Sequence, residues 1–382
     1  MEKNNMKLLI NTSNLYVGGG VQVSLSFLNE IKTILNKNEY HIFLSKAIEQ
    51  QLDKNEFDSR FTFYTIEKSP ARLLSRYKII KQMSRLELDI KPDIVFSIFG
   101  PTYWTPKSKH VMGFAIPWVL EQDSVAYEEL GFLNRLKMRL WVKYVSYFSK
   151  KNTSNYIIET QDGKEKLSNV LDINKKNIFV VGNTYSSLFN NPVYLEKDNK
   201  DFLILPKKEN NEFRLLLISH NYPHKNLKII RDVVPLLSQY NVKFILTISQ
   251  DDFKTLFENT NQIINIGPVK QSSCPSLYSQ CDAMFLPTLL EVFSASYPEA
   301  MKMEKPILTS NFSFAKDVCG EAALYFNPLD ATDIANKIIN LIEDSDLQKE
   351  LVKKGNDRLQ TFETARSRAE KYLNICEEIL GN

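Results

Sequence analysis

Asp282-Ala-Met-Phe-Leu-Pro287, Glu291-Val-Phe-Ser-Ala-Ser-Tyr-Pro-Glu299 and Glu304-Lys-Pro-Ile-Leu-Thr-Ser310 follow one another in the C-terminal half of the chain. The first segment reads as a short buried strand stopped by a proline. The second sets two carboxylates either side of a turn that enters a helix. The third is a turn into another short strand. Strand, acidic loop, helix, strand is a βαβ unit with acids at the carboxyl end of a strand, where open parallel sheets bind their ligands. Amides at a helix start attract phosphate, and carboxylates beside them suit sugar hydroxyls. Phosphate and hydroxyls together point to a nucleotide sugar. A plainer reading of Glu299 is a capping box, Ser296-x-x-Glu299, with Pro298 tolerated in the first turn.

The pair of acids has company. Ala300-Met301, Lys305-Pro306-Ile307-Leu308, Gly320-Glu-Ala-Ala-Leu-Tyr-Phe-Asn-Pro328 and Asp333-Ile-Ala335 follow it in that order. The whole segment resembles the retaining glycosyltransferases of family four (glycosyl transferases group 1), of the bacterial surface-polysaccharide type. The resemblance implies an α/β fold of the GT-B architecture, two Rossmann-like parallel-sheet lobes with a cleft between them. It implies an acceptor-binding lobe at 1–195 and a donor-binding lobe at 205–362. A C-terminal helix at 363–382 would cross back to the first lobe.

By the same resemblance Glu291 and Lys225 are the catalytic candidates. Glu299 would hydrogen-bond the ribose, and Glu291 hydroxyls of the donor sugar. The amides of Phe293, Ser294 and Ala295 would face phosphate. The family has glycines where this chain has Val292 and Ser294, so the loop departs from the usual pattern where glycine would allow positive φ.

A second motif, Ser219-His-Asn-Tyr-Pro-His-Lys225-Asn226, follows a predicted strand. In the family an arginine stands five positions before the lysine, and both cations grip the diphosphate. Here His220 replaces the arginine. Its ring donates one hydrogen bond but lacks the permanently charged fork. Lys225 is then the main cation; its plain alternative is a surface lysine near a helix start, where a cation opposes the helix dipole. Gly18-Gly-Gly20 lies between a first strand and a first helix. Gly19 and Gly20 are expected near the donor phosphates, against the alternative of a tight turn alone. Gly113-Phe-Ala-Ile-Pro117 is the expected acceptor-facing segment, through Gly113, Phe114 and Pro117. It lacks the histidine that many relatives carry there, and His110 reads as a cap or a solvent-facing side chain.

The chain has 382 residues, 43% hydrophobic and 24% charged, enough for two soluble domains. A net charge of +3 gives no argument for nucleic acid. The four cysteines, Cys274, Cys281, Cys319 and Cys376, match neither a disulfide framework nor a CxxC pair. No Asp-x-Asp ends a strand, and no cluster has metal spacing. The expectation is transfer without metal or cofactor, with the nucleotide-diphosphate sugar as substrate and a glycan or lipid-linked glycan as acceptor.

Apolar runs at Lys7–Thr12, Tyr40–Leu44, Asp93–Ser97, Val111–Ala115, Asn155–Glu159 and Asn177–Val181 read as strands alternating with helices. A second series starts at Arg214–Ser219 and continues at Lys243–Thr247 and Ile263–Ile266. The polar stretch at 190–211 between them reads as a linker. An amphipathic helix is expected over 364–380. No signal-peptide core follows the N-terminus, and no run reaches the roughly 20 apolar residues of a membrane span. The cytoplasm is the expected location.

Residues 134–151 are basic and aromatic with no acid, and Arg72 to Arg85 is a second basic run. Such helices can rest on anionic membranes or simply bury one face in a core. Two rival functions share the evidence: a nucleotide-sugar epimerase of the same two-lobe fold, which needs no acceptor, and a non-enzymatic sugar-binding protein.

Overall fold

The computed structural model describes residues 5–190, 205–257 and 261–381. Most of the stretch read as a linker, 191–204, lies outside them. The chain divides into two compact units. One comprises Met1–Leu120, Leu136–Asn183 and Glu363–Asn382; the other comprises Glu121–Arg135 and Thr184–Phe362.

In the first unit β1 (Lys7–Asn11), β2 (Glu39–Ser45), β3 (Phe61–Ile66), β4 (Ile94–Ser97), β5 (Lys109–Gly113), β6 (Asn155–Ile158) and β7 (Ile178–Val180) form one sheet. Its order is β3-β2-β1-β4-β5-β6-β7, and every pairing is parallel. A parallel sheet covered on both faces needs apolar residues at every position of its central strands. β1 shows it: Leu8 and Ile10 enter the core on one face, and Leu9 packs with Phe43, Val95 and Trp104 on the other. The helix Ala365–Gly381 closes the first face, with Tyr372 against Phe27 and Phe96 at ring distances of 5.4 and 5.1 Å.

The second unit repeats the plan. β8 (Phe213–Leu217), β9 (Val242–Leu246), β10 (Ile263–Asn265), β11 (Ala283–Leu286), β12 (Ile307–Ser310) and β13 (Ala323–Phe326) form a parallel sheet. The order is β10-β9-β8-β11-β12-β13. Leu215, Leu217, Ala283 and Phe285 point to one core; Leu216, Met284 and Leu286 point to the other. Chain order reverses between β8 and β11, which pair directly through Ala283↔Leu215 and Met284↔Leu216. Their carboxyl-end loops therefore leave side by side at the switch point of the sheet, the position that binds ligands in such folds.

Two sequence expectations change. His110 neither caps nor faces solvent. It is buried between Ser97 Oγ and the Asn152 carbonyl, each at 2.9 Å, and burial lowers its imidazole to about 4. It is a neutral tie between β4, β5 and the end of the helix Phe132–Asn152. Phe114 is also fully buried, with its ring against Tyr156. Its amide donates to the Ile157 carbonyl at 2.8 Å. Its side chain belongs to the core and cannot touch an acceptor.

Gly113 is a glycine for a packing reason. A Cβ built there would lie 1.9 Å from the Ile98 carbonyl oxygen, a backbone atom that cannot swing away. Gly113→Ala should lower stability by about 1–3 kcal/mol through overpacking, read as a drop in the urea midpoint. An unchanged midpoint would show that the β4–β5 crossing is looser than described.

Candidate functional site

The loop after β8 carries Ser219 to Asn226 and ends in a short turn, Pro223–Lys225. Asn226 adopts a left-handed conformation, φ 53°, which asparagine tolerates better than most residues. Its buried side-chain amide donates to the Pro328 carbonyl at 2.8 Å. The lysine–asparagine pair is thus split in role: Asn226 anchors the turn and Lys225 is aimed outward from it.

The loop after β11 meets that turn. Leu289 N donates to the His224 carbonyl at 2.7 Å, and Thr288 Oγ1 donates to the same oxygen at 3.1 Å. This joint sets Lys225 Nζ against Glu291 Oε1 in an ion pair. Both side chains are largely screened from water, with 16% and 10% exposure. Sixty-six residues separate them in sequence; the β8–β11 pairing brings them together.

Glu299 lies on the helix Ser296–Lys302. The capping-box reading fails: Ala295 stands at the cap position and no side chain caps this end. Ser296 is already the first helical residue, one position too late to cap. Glu299 is instead 7% exposed, with Tyr278 Oη donating to it at 3.5 Å. Burial pushes its carboxyl up to about 8. A protonated carboxylic acid can both donate and accept, which matches a pair of vicinal hydroxyls.

Among the described non-glycine residues, none between Leu289 and Ser296 has positive φ. The turn therefore needs no glycine, and Val292 fits with its side chain buried. Phe293, Ser294 and Ala295 are half-buried on this loop. His220 is exposed, its ring tilted against Tyr222 at 5.7 Å. His224 also stacks on Tyr222, at 5.6 Å. Burial, with Lys225 adjoining, depresses the His224 ring to about 3, so it adds no charge here.

The second unit thus gathers Lys225, Glu291, Phe293, Ser294, Ala295 and Glu299 about one edge, with His220 on the loop after β8. Gly19, Gly20, Gly113, Phe114 and Pro117 belong to the first unit. There Gly18 takes φ 73° and opens the helix Gly19–Ile31, a backbone that glycine adopts at least cost. A Cβ on Gly19 would meet nothing within 4 Å, while one on Gly20 would press on Leu15 at 3.2 Å. Among the described residues no group of three acids, histidines or cysteines could hold a metal.

Sequence reasoning missed two supports. Tyr278 is fully buried beneath Glu299, and its hydroxyl also lies 3.2 Å from the Ser296 carbonyl. The segment Glu121–Arg135 clusters with the second unit. Within it Ser124 Oγ donates to the Leu289 carbonyl at 3.3 Å, and Glu129 pairs with Lys228. A single serine outside any recognisable motif carries no sequence signal.

A two-sheet protein with a lysine, a loop carboxylate and a buried glutamate at the switch point of its second sheet has the architecture of nucleotide-sugar transferases. Residues 200–358 match the family model of glycosyl transferases group 1. That match places the C-terminal segment of the chain with the group 1 glycosyltransferases. The chain is 26% identical over 356 residues to the capsular polysaccharide biosynthesis glycosyltransferase CapM of Staphylococcus aureus, covering 87% of this chain and 88% of that one. It is 22% identical over 209 residues to the O-antigen chain mannosyltransferase RfbU of Salmonella typhimurium, 53% of this chain and 55% of that one. Its fold matches the crystal structure of Anabaena Alr3699/HepE in complex with UDP and glucose. The TM-score is 0.72 at 15% identity, over 98% of this chain and all of that one. WaaG, a glycosyltransferase involved in lipopolysaccharide biosynthesis, matches with a TM-score of 0.71 at 14% identity, over 96% of this chain and 99% of that one. The fold is GT-B.

The raised Glu299 carboxyl has a thermodynamic consequence. Between about pH 4.5 and 8 the folded protein holds a proton there that the unfolded chain has released. Stability from this group is full below pH 4.5 and falls as pH rises, by up to about 1.4 kcal/mol per unit. Urea unfolding at pH 5, 6.5 and 8 should show the wild type losing ground to Glu299→Gln as pH increases. Parallel curves would mean that Glu299 is ionised in the folded protein.

Proposed function

We propose that this glycosyltransferase moves a sugar from a nucleotide-diphosphate donor to a hydroxyl of a glycan or lipid-linked glycan. It does so with retention of configuration and without a metal ion. We assign it to surface-polysaccharide assembly, capsule or O-antigen, the settings that the names of its staphylococcal and Salmonella relatives state. Four free, buried cysteines suit a reducing compartment, and we assign the enzyme to the cytoplasm.

The observation that carries the reading is the Lys225–Glu291 ion pair between the loops after β8 and β11, with buried Glu299, its carboxyl pushed up to about 8, on the helix that follows the second loop. Glu299 takes the ribose hydroxyls, where an acid that donates as well as accepts is useful. Glu291 takes hydroxyls of the donor sugar. Lys225 takes the diphosphate, with amides of Phe293, Ser294 and Ala295 beside it. By the family resemblance, Gly19 and Gly20 are assigned to the donor phosphates, and Gly113 and Pro117 to the acceptor. In the reaction the bond from the anomeric carbon to the diphosphate breaks and one to the acceptor oxygen forms on the same face. Negative charge grows on the leaving phosphate, so a fixed cation there lowers the barrier. The helix Ser296–Lys302 has seven residues, so its dipole is short and more of this work falls to Lys225.

With the matching donor and acceptor, Lys225→Ala should lower kcat/KM by about 10²-fold, with kcat carrying most of the loss. Glu299→Ala should raise the donor KM instead. Near-wild-type turnover in both would reject the site. Incubation with donor alone tests the epimerase reading, which requires a new sugar without acceptor. Excess EDTA should leave the rate unchanged. Loss of rate restored by added divalent cation would remove metal independence, and an inverted anomeric signal in the product would remove retention.

A further inference from the structure

The helices Leu73–Ile90 and Phe132–Asn152, the latter in the first unit from Leu136 onward, carry most of the exposed large apolar side chains of the described surface. Of the fifteen on the described surface, ten lie on Leu73–Ile90 and Phe132–Asn152. In the second helix only Val142, Val145, Ser149 and Asn152 are buried, all in its C-terminal half. The first ten residues bury none. Leu133, Leu136 and Leu140 are 68%, 51% and 59% exposed, and Tyr147 is 59% exposed. Their spacing of three, four and seven puts them on one stripe of an α-helix. An apolar stripe open to water is the opposite of what a surface helix of a freely diffusing protein shows.

Charge surrounds the stripe. The helix Phe132–Asn152 holds six lysines and arginines and no acid. That is more than the net charge of +3 on the whole chain, so the remainder is net negative. Lys137, Lys143, Lys150 and Lys151 are all exposed. The other helix continues the surface: Leu73, Leu74 and Tyr77 are 74%, 106% and 81% exposed, followed by exposed Lys78, Lys81 and Arg85.

The two helices are joined by Arg76. Its guanidinium donates to Tyr144 Oη and stands 4.6 Å over the Tyr103 ring, with Phe148 at 5.4 Å. Arg76, Tyr144 and Phe148 are therefore occupied within the unit. They fix the helices side by side, and what stays outside is leucines and aromatics among lysines and arginines.

We propose that this two-helix face is a docking surface for an anionic lipid bilayer. Leucines at 136, 140 and 74 enter the headgroup–acyl boundary, and the lysines reach phosphate. The chemistry selects this occupant. Nucleic acid would satisfy the lysines but leave the leucines wet, and an apolar protein groove would strand the cations. A sheet of anions above hydrocarbon satisfies both at once. No described helix is long and apolar enough to cross a membrane, so the attachment is to one face. Docking requires neither donor nor acceptor, so it stands or falls apart from the transfer reaction.

The experiment is co-sedimentation of the full chain with vesicles of phosphatidylcholine alone and of phosphatidylcholine with phosphatidylglycerol, at low and at 0.5 M salt. The expected result is binding to the anionic vesicles only, weakened at high salt. The double variants Leu136→Ser/Leu140→Ser and Lys137→Gln/Lys143→Gln should each lower the bound-to-free ratio at least ten-fold with an unchanged Tm. Leu74→Ser/Tyr77→Ser does the same from the other helix, should either first variant fold poorly. No binding to anionic vesicles, or equal binding to both compositions, overturns the proposal. So does a dimer in light scattering that Leu136→Ser/Leu140→Ser dissociates, because the stripe would then be covered by a second copy of the chain.

Discussion

The direct pairing of β8 with β11 is the constraint on which the proposed donor site depends. A parallel sheet sends all its strands out by one edge, and only where the order reverses do neighbouring loops diverge to leave a crevice. That pairing is made of apolar side chains buried on both faces, Leu215, Leu217, Ala283 and Phe285 on one and Leu216, Met284 and Leu286 on the other. Each such side chain contributes about 1.5–3 kcal/mol on leaving water. Burial of this kind sets where the charges stand. Lys225 and Glu291 would have little reason to meet without it, since a partly buried ion pair gains little over its desolvation cost.

A contrast inside the same unit makes the point. Arg214 and Glu212 form an ion pair with both side chains 3% exposed. The guanidinium also donates to the Pro206 carbonyl at 2.8 Å, and Glu212 accepts from the Glu209 amide at 3.0 Å. Every strong group there has a permanent protein partner, as a structural pair requires. Glu299 differs. It is as buried as those two, yet the donor facing it, Tyr278, is at 3.5 Å. No cation offsets its burial, so it keeps its proton instead. On the proposed reading, the hydroxyls of a bound nucleotide sugar would be further partners for this neutral carboxyl.

The central strands were legible because a strand buried on both faces leaves an unbroken apolar run, as in Leu8-Leu-Ile10 or Leu215-Leu-Leu217. β3 was not read. Phe61-Thr-Phe-Tyr-Thr-Ile66 sits at the sheet edge and alternates with threonines, half-exposed along most of its length, so it lacks that run. The acids and Lys225 were legible through local motifs, because the loops that carry them are contiguous in sequence. Tyr278, Ser124 and the buried state of His110 were not. Each depends on a contact between segments far apart in the chain, and a single polar residue looks the same in sequence whether it meets water or a carbonyl. Phe114 shows the converse: a motif-like position whose side chain the core had already claimed.

The departures from the family pattern have separate physical consequences. Val292 and Ser294 replace glycines at no conformational cost, because the loop has no positive φ to relieve, and Val292 adds a buried side chain that ties the loop to the core. His220 is a different matter. It is exposed and leans on Tyr222, so the phosphate side of the proposed pocket has one fixed cation where the family pattern has two. That cation is already neutralised by Glu291. On the proposed reading a diphosphate carries more charge than one carboxylate, so it competes for Lys225, and the released Glu291 becomes free to accept from the sugar. Phosphate binding and sugar binding would then be coupled through one ion pair, a coupling that a second permanent arginine would dilute.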